Sequence, residues 1–172
     1  MHNQDESGRS MVEMLGVLSI MGVIMYGAVA GINFGIDMYK INATYNEVEE
    51  LAQSIVDLYS WSKTYKALSN KIICENDIYP LPCGGSYTLT NEWGGNVCVG
   101  PITEGTEFQI TYTYVPYIAC ERLKTQEFRN VIIQNALECQ DGGSNTITFC
   151  STGTPKNDCT TPSGPCTTAS VF

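Results

Sequence analysis

A single acidic residue, Glu13, stands at the edge of a long apolar run. From Met14 to Ile36 the sequence contains no Asp, Glu, Lys or Arg. A carboxylate at the centre of a membrane-spanning helix costs roughly 2.5–3.5 kcal/mol, and less near the interface. Charge pairing is the chemistry open to such a group, so a partner must compensate for Glu13.

The cysteines offer a second kind of chemistry. All eight follow the apolar run, and an even number in an exported region is typical of a disulfide framework. No pair has the C-x-x-C spacing of zinc ribbons or thioredoxin-like redox sites, so no metal site is predicted. The eight are Cys74, Cys83, Cys98, Cys120, Cys139, Cys150, Cys159 and Cys166.

Catalytic constellations are not evident. The only histidine is His2, so Ser-His-Asp and Cys-His arrangements and imidazole ligation lack their central group in the body of the chain. The glycine pairs at 84–85, 94–95 and 142–143 are not followed by the Lys-Ser/Thr of a phosphate loop and are interpreted as turns. The sequence therefore predicts no enzyme and no cofactor.

The net charge of the chain limits which classes of partner it can bind. The chain has 172 residues, a formal net charge of −9 and a pI near 4.4. That balance repels phosphate backbones, so no nucleic-acid partner is expected over the whole surface. A local basic patch around Arg122, Lys124 and Arg129 stays open.

The apolar run is long enough to cross a bilayer, which takes about 20 residues. The preceding MHNQDESG is acidic and lacks the basic start of a secretory signal, and a buried core helix of this length is improbable in so small a protein. A membrane anchor is therefore expected, with Arg9 favouring a cytoplasmic N-terminal end. Gly27, Gly31 and Gly35 repeat a small-xxx-small spacing that permits close helix packing, although a generic glycine-tolerant membrane helix is the alternative.

The helical pattern continues past the anchor. From Asp37 to about Leu68 there is no Gly or Pro, and apolar residues recur at i, i+3 and i+4. We expect one helix of about 54 residues, apolar all round in its first half and amphipathic in its second. Residues flanking the apolar face are expected to be mostly solvated; they are Glu47, Glu49, Glu50 and Asp57.

After Cys74 the pattern favours β-structure. The alternation in 107–115, EFQITYTYV, predicts a strand with Phe108, Ile110, Tyr112 and Tyr114 on one face. A short helix is expected in 117–128. Other expected strands are Ser86–Thr90, Asn96–Val99, Val131–Ile133 and one after 141–144 with Ile147 and Phe149 inward. The predicted fold class is α+β, a long N-terminal helix packed on a small antiparallel sheet with a disulfide-rich C-terminal region.

The stretch Gly8-Arg9-Ser10-Met11-Val12-Glu13-Met14-Leu15 resembles the prepilin signature of type IV pilins and pseudopilins. The resemblance implies cleavage by prepilin peptidase after Gly8, which makes Arg9 the new N-terminus, and it makes Glu13 the acid used in assembly. Arg9 departs from the Phe, Met or Leu usual at that position in the family. Arg9 also lies four residues before Glu13 and is an alternative partner for it within one helix.

A second resemblance covers the globular part. The segments NEWGGNVCVG and EFQITYTYVPYIACERL are similar to type IVb pilins of the toxin-coregulated and plasmid conjugative thin-pilus kind. The expected domains are a leader at 1–8, a hydrophobic half-helix at 9–36, an amphipathic half-helix at 37–69 and a globular domain at 70–172.

The same resemblance implies that Cys120 bonds a cysteine nearer the C-terminus, with Cys150 preferred and Cys139 next. If Cys74–Cys83 and Cys159–Cys166 are disulfides that close short loops, the remaining pairs are Cys98–Cys139 and Cys120–Cys150. This is one of about 105 possible pairings.

The implied function is a pilus subunit that polymerises with itself and other pilins. It would reside in the bacterial inner membrane as a precursor and then in an extracellular filament used for adhesion, aggregation or conjugal contact. Two alternatives stay open: a pseudopilin of a type II-like secretion machine, in a periplasmic pseudopilus, and a permanently anchored extracytoplasmic binding domain that does not polymerise.

Overall fold

The computed structural model describes residues 5–62, 64–79, 83–102, 105–134, 137–154 and 159, with side chains from residue 11 onward. The chain forms two compact units, Met1–Tyr39 and Lys40–Phe172. The helices are α1 (Asp5–Leu58), α2 (Asn70–Glu75) and α3 (Tyr117–Lys124). The strands are β1 (Leu89–Thr90), β2 (Asn96–Ile102), β3 (Glu107–Val115), β4 (Val131–Ile133) and β5 (Asn145–Ser151).

Helix α1 ends at Leu58, so the predicted continuation to about Leu68 is wrong. Tertiary hydrogen bonds explain the early end. The Tyr65 amide donates to the Gly105 carbonyl at 2.6 Å, and the Thr64 hydroxyl donates to the same oxygen at 3.1 Å. These bonds hold residues 64–66 against the start of β3 and outweigh local helix propensity.

The sheet has five strands in the order β1-β2-β3-β5-β4, and each neighbouring pair is antiparallel. Strand β3 lies at the centre, where Ile110 pairs with Val99 of β2 and with Phe149 of β5. The α+β fold class is confirmed, because a long apolar helix accompanies a small antiparallel sheet.

The core of the second unit lies between the last part of α1 and one face of the sheet. Val48, Leu51 and Ile55 recur at helical spacing and are fully buried. The sheet contributes alternate residues, as period-two geometry requires. The fully buried residues on this face include Phe108, Ile110, Tyr112, Ile147 and Phe149, with the Tyr112 and Phe149 rings edge-to-face at 5.8 Å.

Three strand predictions need correction. Strand β2 continues beyond the predicted end at Val99 to Ile102. Strand β1 is confined to Leu89–Thr90, because residues 85–87 form a 3-10 turn in which Ser86 and Tyr87 have positive φ. In β3 the register shifts between Tyr112 and Val115. This bulge turns Tyr114 outward, with φ of 60° and 63% of its surface exposed, and buries Val115.

Three disulfides join described cysteines: Cys74–Cys83, Cys120–Cys139 and Cys150–Cys159. Cys98 is also disulfide-bonded, and Cys166 lies outside the described residues. The Cys74–Cys83 pairing agrees with the prediction. The pairings Cys120–Cys150, Cys98–Cys139 and Cys159–Cys166 are wrong. Since alternate strand residues face opposite sides, Cys150 lies on the sheet face away from Phe149, where Cys159 reaches it.

Candidate functional site

The first unit is a helix with no apolar cover of its own. Every side chain from Met11 to Asp37 is exposed. Within the part of the chain that the structure describes, α1 is the one helix long and apolar enough to cross a membrane, judged by length and composition. A surface of this size and character needs lipid or other helices around it.

The glycines of this helix are not explained by contacts within the chain. Among the described residues, a Cβ atom built at Gly27, Gly31 or Gly35 meets no atom within 4 Å, and the same holds for Gly16 and Gly22. Each glycine costs a helix about 1 kcal/mol relative to Ala. Small residues on one helix let another backbone approach closely, so these positions suit helix–helix packing between molecules.

The second unit contains a buried carboxylate, Glu47, on the amphipathic part of α1. Its Oε1 accepts a hydrogen bond from the Tyr79 hydroxyl at 2.5 Å and another from the Tyr112 hydroxyl at 2.5 Å. Glu47 is 6% exposed, Tyr79 is 4% exposed and Tyr112 is fully buried. The three side chains tie α1 to the central strand and to the loop after α2.

Burial sets the electrostatics of this cluster. Burial raises the pKa of Glu47, while the hydrogen bonds from Tyr112 and Tyr79 act in the opposite direction and the charge of Glu92 adds to the rise. Burial also raises the pKa of Tyr79 and of Tyr112, with the Glu47 charge as the second cause. Both phenols therefore stay protonated and act as donors.

The expectation that Glu47 is solvated is wrong. Glu47 lies three residues after Thr44 and four before Leu51, and both of those side chains are fully buried. The sequence could have shown that Glu47 is buried, because its spacing from Thr44 and Leu51 places it on the buried face of α1. The predicted inward position of Tyr112 offered a hydroxyl that could donate to the buried carboxylate. The spacing alone did not point to Tyr79, since its loop lies 32 residues away in sequence.

Comparison with known proteins decides the family. A family model described as PilS N terminal matches residues 38–136, more than half of the chain. The chain belongs to the PilS N-terminal family of type IV pilins. Two relatives are each described as the major structural subunit of bundle-forming pilus, from Escherichia coli O127:H6 (strain E2348/69 / EPEC) and Escherichia coli O111:H-.

Each relative is 26% identical to this pilin over 129 residues, which is 73% of this chain and 67% of the relative. No solved structure matches the chain significantly. The pilin is therefore a structural subunit related to type IVb pilins, as its resemblance implied.

The pilin sequence Asn-x-Trp-Gly-Gly at 91–95 is explained by a turn built around one side chain. Asn91 Oδ1 accepts hydrogen bonds from the amides of Trp93 at 3.0 Å and Gly95 at 2.9 Å. Asn91 Nδ2 donates to the Thr113 carbonyl at 2.8 Å. A Cβ at Gly95 would lie 1.9 Å from that same carbonyl oxygen, so only glycine fits there.

The predicted processing and assembly residues all lie in the first unit of the pilin. Gly8, Arg9 and Glu13 belong to α1, and the Glu13 side chain is exposed. The Arg9 side chain lies outside the described part. The family match begins at residue 38, so it does not extend to these three residues.

Proposed function

We propose that this pilin is the subunit of a type IV pilus-like filament, cut by prepilin peptidase after Gly8 and polymerised through the apolar half of α1. The exposed apolar surface from Met11 to Ile36 carries the proposal. Lipid tails and neighbouring helices both exclude water, so this surface passes from the inner membrane to a helical bundle at little cost.

Glu13 supplies the register of assembly in this proposal. Cleavage after Gly8 creates an α-ammonium on Arg9, four residues before the carboxylate. When two subunits dock, the carboxylate of one faces the ammonium of the next in an apolar bundle. A charge left alone there costs several kcal/mol, whereas a well-placed pair offsets the cost, so correct stagger is favoured over other staggers.

When identical subunits repeat the same head-to-tail contact and the contacts do not close into a ring, they form a helical polymer. The precursor resides in the inner membrane and the product is an extracellular pilus that serves adhesion, aggregation or conjugal contact. The relatives' description as major subunits of bundle-forming pilus supports this use over that of a pseudopilin.

Mass spectrometry of the N-terminus, in cells with the peptidase, tests the processing step. We expect a chain that begins at Arg9, and a Gly8→Val variant that keeps Met1 and forms no fibres, whereas the control Ser7→Ala is cut normally. An intact Met1 in the parent contradicts the proposal and favours a permanently anchored domain.

Electron microscopy of sheared surface material tests the destination. We expect long fibres that contain this chain. Short fibres confined to the periplasm would overturn the pilus assignment in favour of a pseudopilus.

A further inference from the structure

The apolar run of α1 contains just three side chains with oxygen or nitrogen atoms. Between residues 14 and 36 these are Ser19, Tyr26 and Asn33, and successive members are seven residues apart. Seven residues make almost two turns of an α-helix, with a drift of about 20°, so all three lie on one side of α1. They follow one another at intervals of about 10.5 Å, at 1.5 Å per residue. We call this row the polar stripe.

The polar stripe has unmet hydrogen-bonding capacity. Among the described residues, neither the Tyr26 hydroxyl nor the Asn33 amide group has a hydrogen-bond partner, and Tyr26 is 81% exposed. Ser19 Oγ donates to the Leu15 carbonyl at 2.8 Å, a bond within α1 that leaves the lone pairs of Ser19 free to accept. Tyr26 lies one residue from the midpoint of the run, so in a membrane its hydroxyl is remote from water. A polar group without a partner is unfavourable there, so the stripe requires a partner.

Small residues separate the polar ones along the stripe. Gly22 lies three residues after Ser19 and four before Tyr26, and Ala30 lies four residues after Tyr26 and three before Asn33. Spacings of three and four residues place Gly22 and Ala30 on the same side of the helix as the stripe. A Cβ atom built at Gly22 meets no described atom within 4 Å. A second helix can therefore approach closely enough along this side for side-chain hydrogen bonds to form, as in contacts between membrane helices.

The partner that fits the polar stripe is a second copy of α1. Homology to pilins supports self-assembly with other pilins. The equal spacing makes the stripe complementary to itself when two parallel helices are offset by seven residues. That offset places Tyr26 of one helix opposite Ser19 of the next, and Asn33 of the first opposite Tyr26 of the next. Without an offset, two Tyr26 rings would meet on the side where small residues otherwise allow close approach.

We propose that the polar stripes of neighbouring subunits face one another inside the filament with an offset of seven residues, about 10.5 Å along the axis. The Tyr26 hydroxyl donates to Ser19 Oγ of the neighbour, because the Ser19 proton is already given to the Leu15 carbonyl. Asn33 Nδ2 donates to the Tyr26 oxygen of that same neighbour. Through successive subunits the bonds run from Asn33 to Tyr26 to Ser19 to the Leu15 carbonyl, and each bond strengthens the next.

This inference rests on the proposed function as a filament subunit and agrees with the register proposed for Glu13. The offset places Arg9 of the subunit that supplies Ser19 level with residue 16 of its neighbour, about 4.5 Å along the axis from the neighbour's Glu13. Each contact uses Ser19 of one subunit and Asn33 of the other, so it is one-way and leaves one of each unused at the two ends of a row. Such a contact extends an open helical array.

Photo-crosslinking in assembled filaments tests the offset. Subunits that carry benzoyl-phenylalanine in place of Tyr26, diluted into parent subunits, should attach near Ser19 and near Asn33 of neighbouring chains, as located by tandem mass spectrometry. The same probe at Ile24, on the opposite side of the helix, is the control and should attach elsewhere. Attachment centred on residue 26 of the neighbour, attachment to lipid or to a different protein, or the same pattern from both probes would overturn the proposal.

Variants test the individual hydrogen bonds. Tyr26→Phe and Asn33→Leu should each lower the fibre mass about fivefold or more, because each removes a hydrogen bond that forms only between assembled helices. The double variant should fall no further than Tyr26→Phe alone, because that change already removes the bond to Asn33. Met21→Leu, on the other side of the helix, should leave the fibre mass unchanged, and all variants should accumulate in the membrane as the parent does.

The outcomes separate this contact from the proposed function. Effects that multiply in the double variant would refute the pairing of Tyr26 with Asn33. If parent and Tyr26→Phe form equal fibres, the polar stripe is not the contact and the proposed function stands. If the parent itself forms no fibres, the proposed function fails as well.

Discussion

The hydroxyl of Tyr112, on the central strand, donates to Glu47 of helix α1 across a separation of 65 residues. Tyr79 donates to the same carboxylate oxygen and also lies 3.3 Å from the Thr90 carbonyl. One acceptor therefore serves two buried donors from different parts of the domain. The position of the amphipathic part of α1 on the sheet depends on this oxygen as well as on the apolar core.

Removal of the shared acceptor should destabilise the domain. Glu47→Ala leaves the buried hydroxyls of Tyr79 and Tyr112 without their carboxylate acceptor, and each unsatisfied buried group costs about 1–3 kcal/mol. We expect a loss of about 2–4 kcal/mol in the free energy of unfolding, measured by denaturant titration of the full chain in detergent. The exposed Glu50→Ala should change stability by less than about 0.5 kcal/mol. Equal effects for the two variants would contradict the role assigned to Glu47.

The cluster also predicts a pH dependence. Because burial raises the folded-state pKa of Glu47, its proton is held more tightly in the folded than in the unfolded chain. The contribution of this proton to the free energy of unfolding is complete below the ordinary glutamate pKa. It is lost as the pH rises through the raised folded-state pKa of Glu47. Glu47→Gln, which is neutral throughout, should therefore gain in stability relative to the parent as the pH rises. A difference between parent and Glu47→Gln that is constant with pH would exclude the effect.

Local patterns predicted much of this domain. The alternation in 107–115 gave the bounds of β3, and the helical spacing of Val48, Leu51 and Ile55 gave the buried face of α1. These patterns succeed because each reports which side of one element meets the core. They also separated the apolar and amphipathic parts of α1.

Long-range contacts account for the failures. Helix α1 stops at Leu58 because Tyr65 bonds Gly105, a residue 40 positions away that no local pattern connects to it. The outward turn of Tyr114 follows from a bulge, which breaks the alternation. The pairing of Cys120 with Cys150, which the family resemblance implied, failed because no sequence pattern reveals which cysteine lies on the same face of the sheet as Cys150.

The turn at 91–95 predicts that a single methyl group added at Gly95 destabilises the domain. In Gly95→Ala the new Cβ would lie 1.9 Å from the backbone oxygen of Thr113, which cannot move without disturbing the sheet. We expect a loss of about 3 kcal/mol or more, as for severe overpacking. Gly100→Ala, at a strand position with nothing within 4 Å, is the matched control. Thermal unfolding that is unchanged by Gly95→Ala would refute the close approach.

The disulfide pairing is directly measurable. Proteolysis of the unreduced chain, followed by mass spectrometry, should recover linked peptides for Cys74–Cys83, Cys120–Cys139 and Cys150–Cys159. Replacing Cys120 and Cys139 together by Ser opens a loop with a sequence separation of 19. This should cost about 3 kcal/mol in the chain-entropy model. A linked peptide containing Cys120 and Cys150 would contradict the arrangement.

The proposed pairing of Glu13 with a neighbouring α-ammonium predicts a specific pattern among variants. Loss of one partner of a buried pair costs about 3–5 kcal/mol per contact, so Glu13→Val should abolish detectable fibres while the precursor still accumulates in the membrane. Arg9→Ala keeps the α-ammonium and should retain assembly, provided the peptidase still cuts after Gly8. Glu50→Val, an exposed acid of the second unit, controls for the loss of charge. Fibre yields counted by electron microscopy would refute the intersubunit pair if Glu13→Val assembled like the parent. They would point to a partner within the same helix if Arg9→Ala, although processed, failed as completely as Glu13→Val.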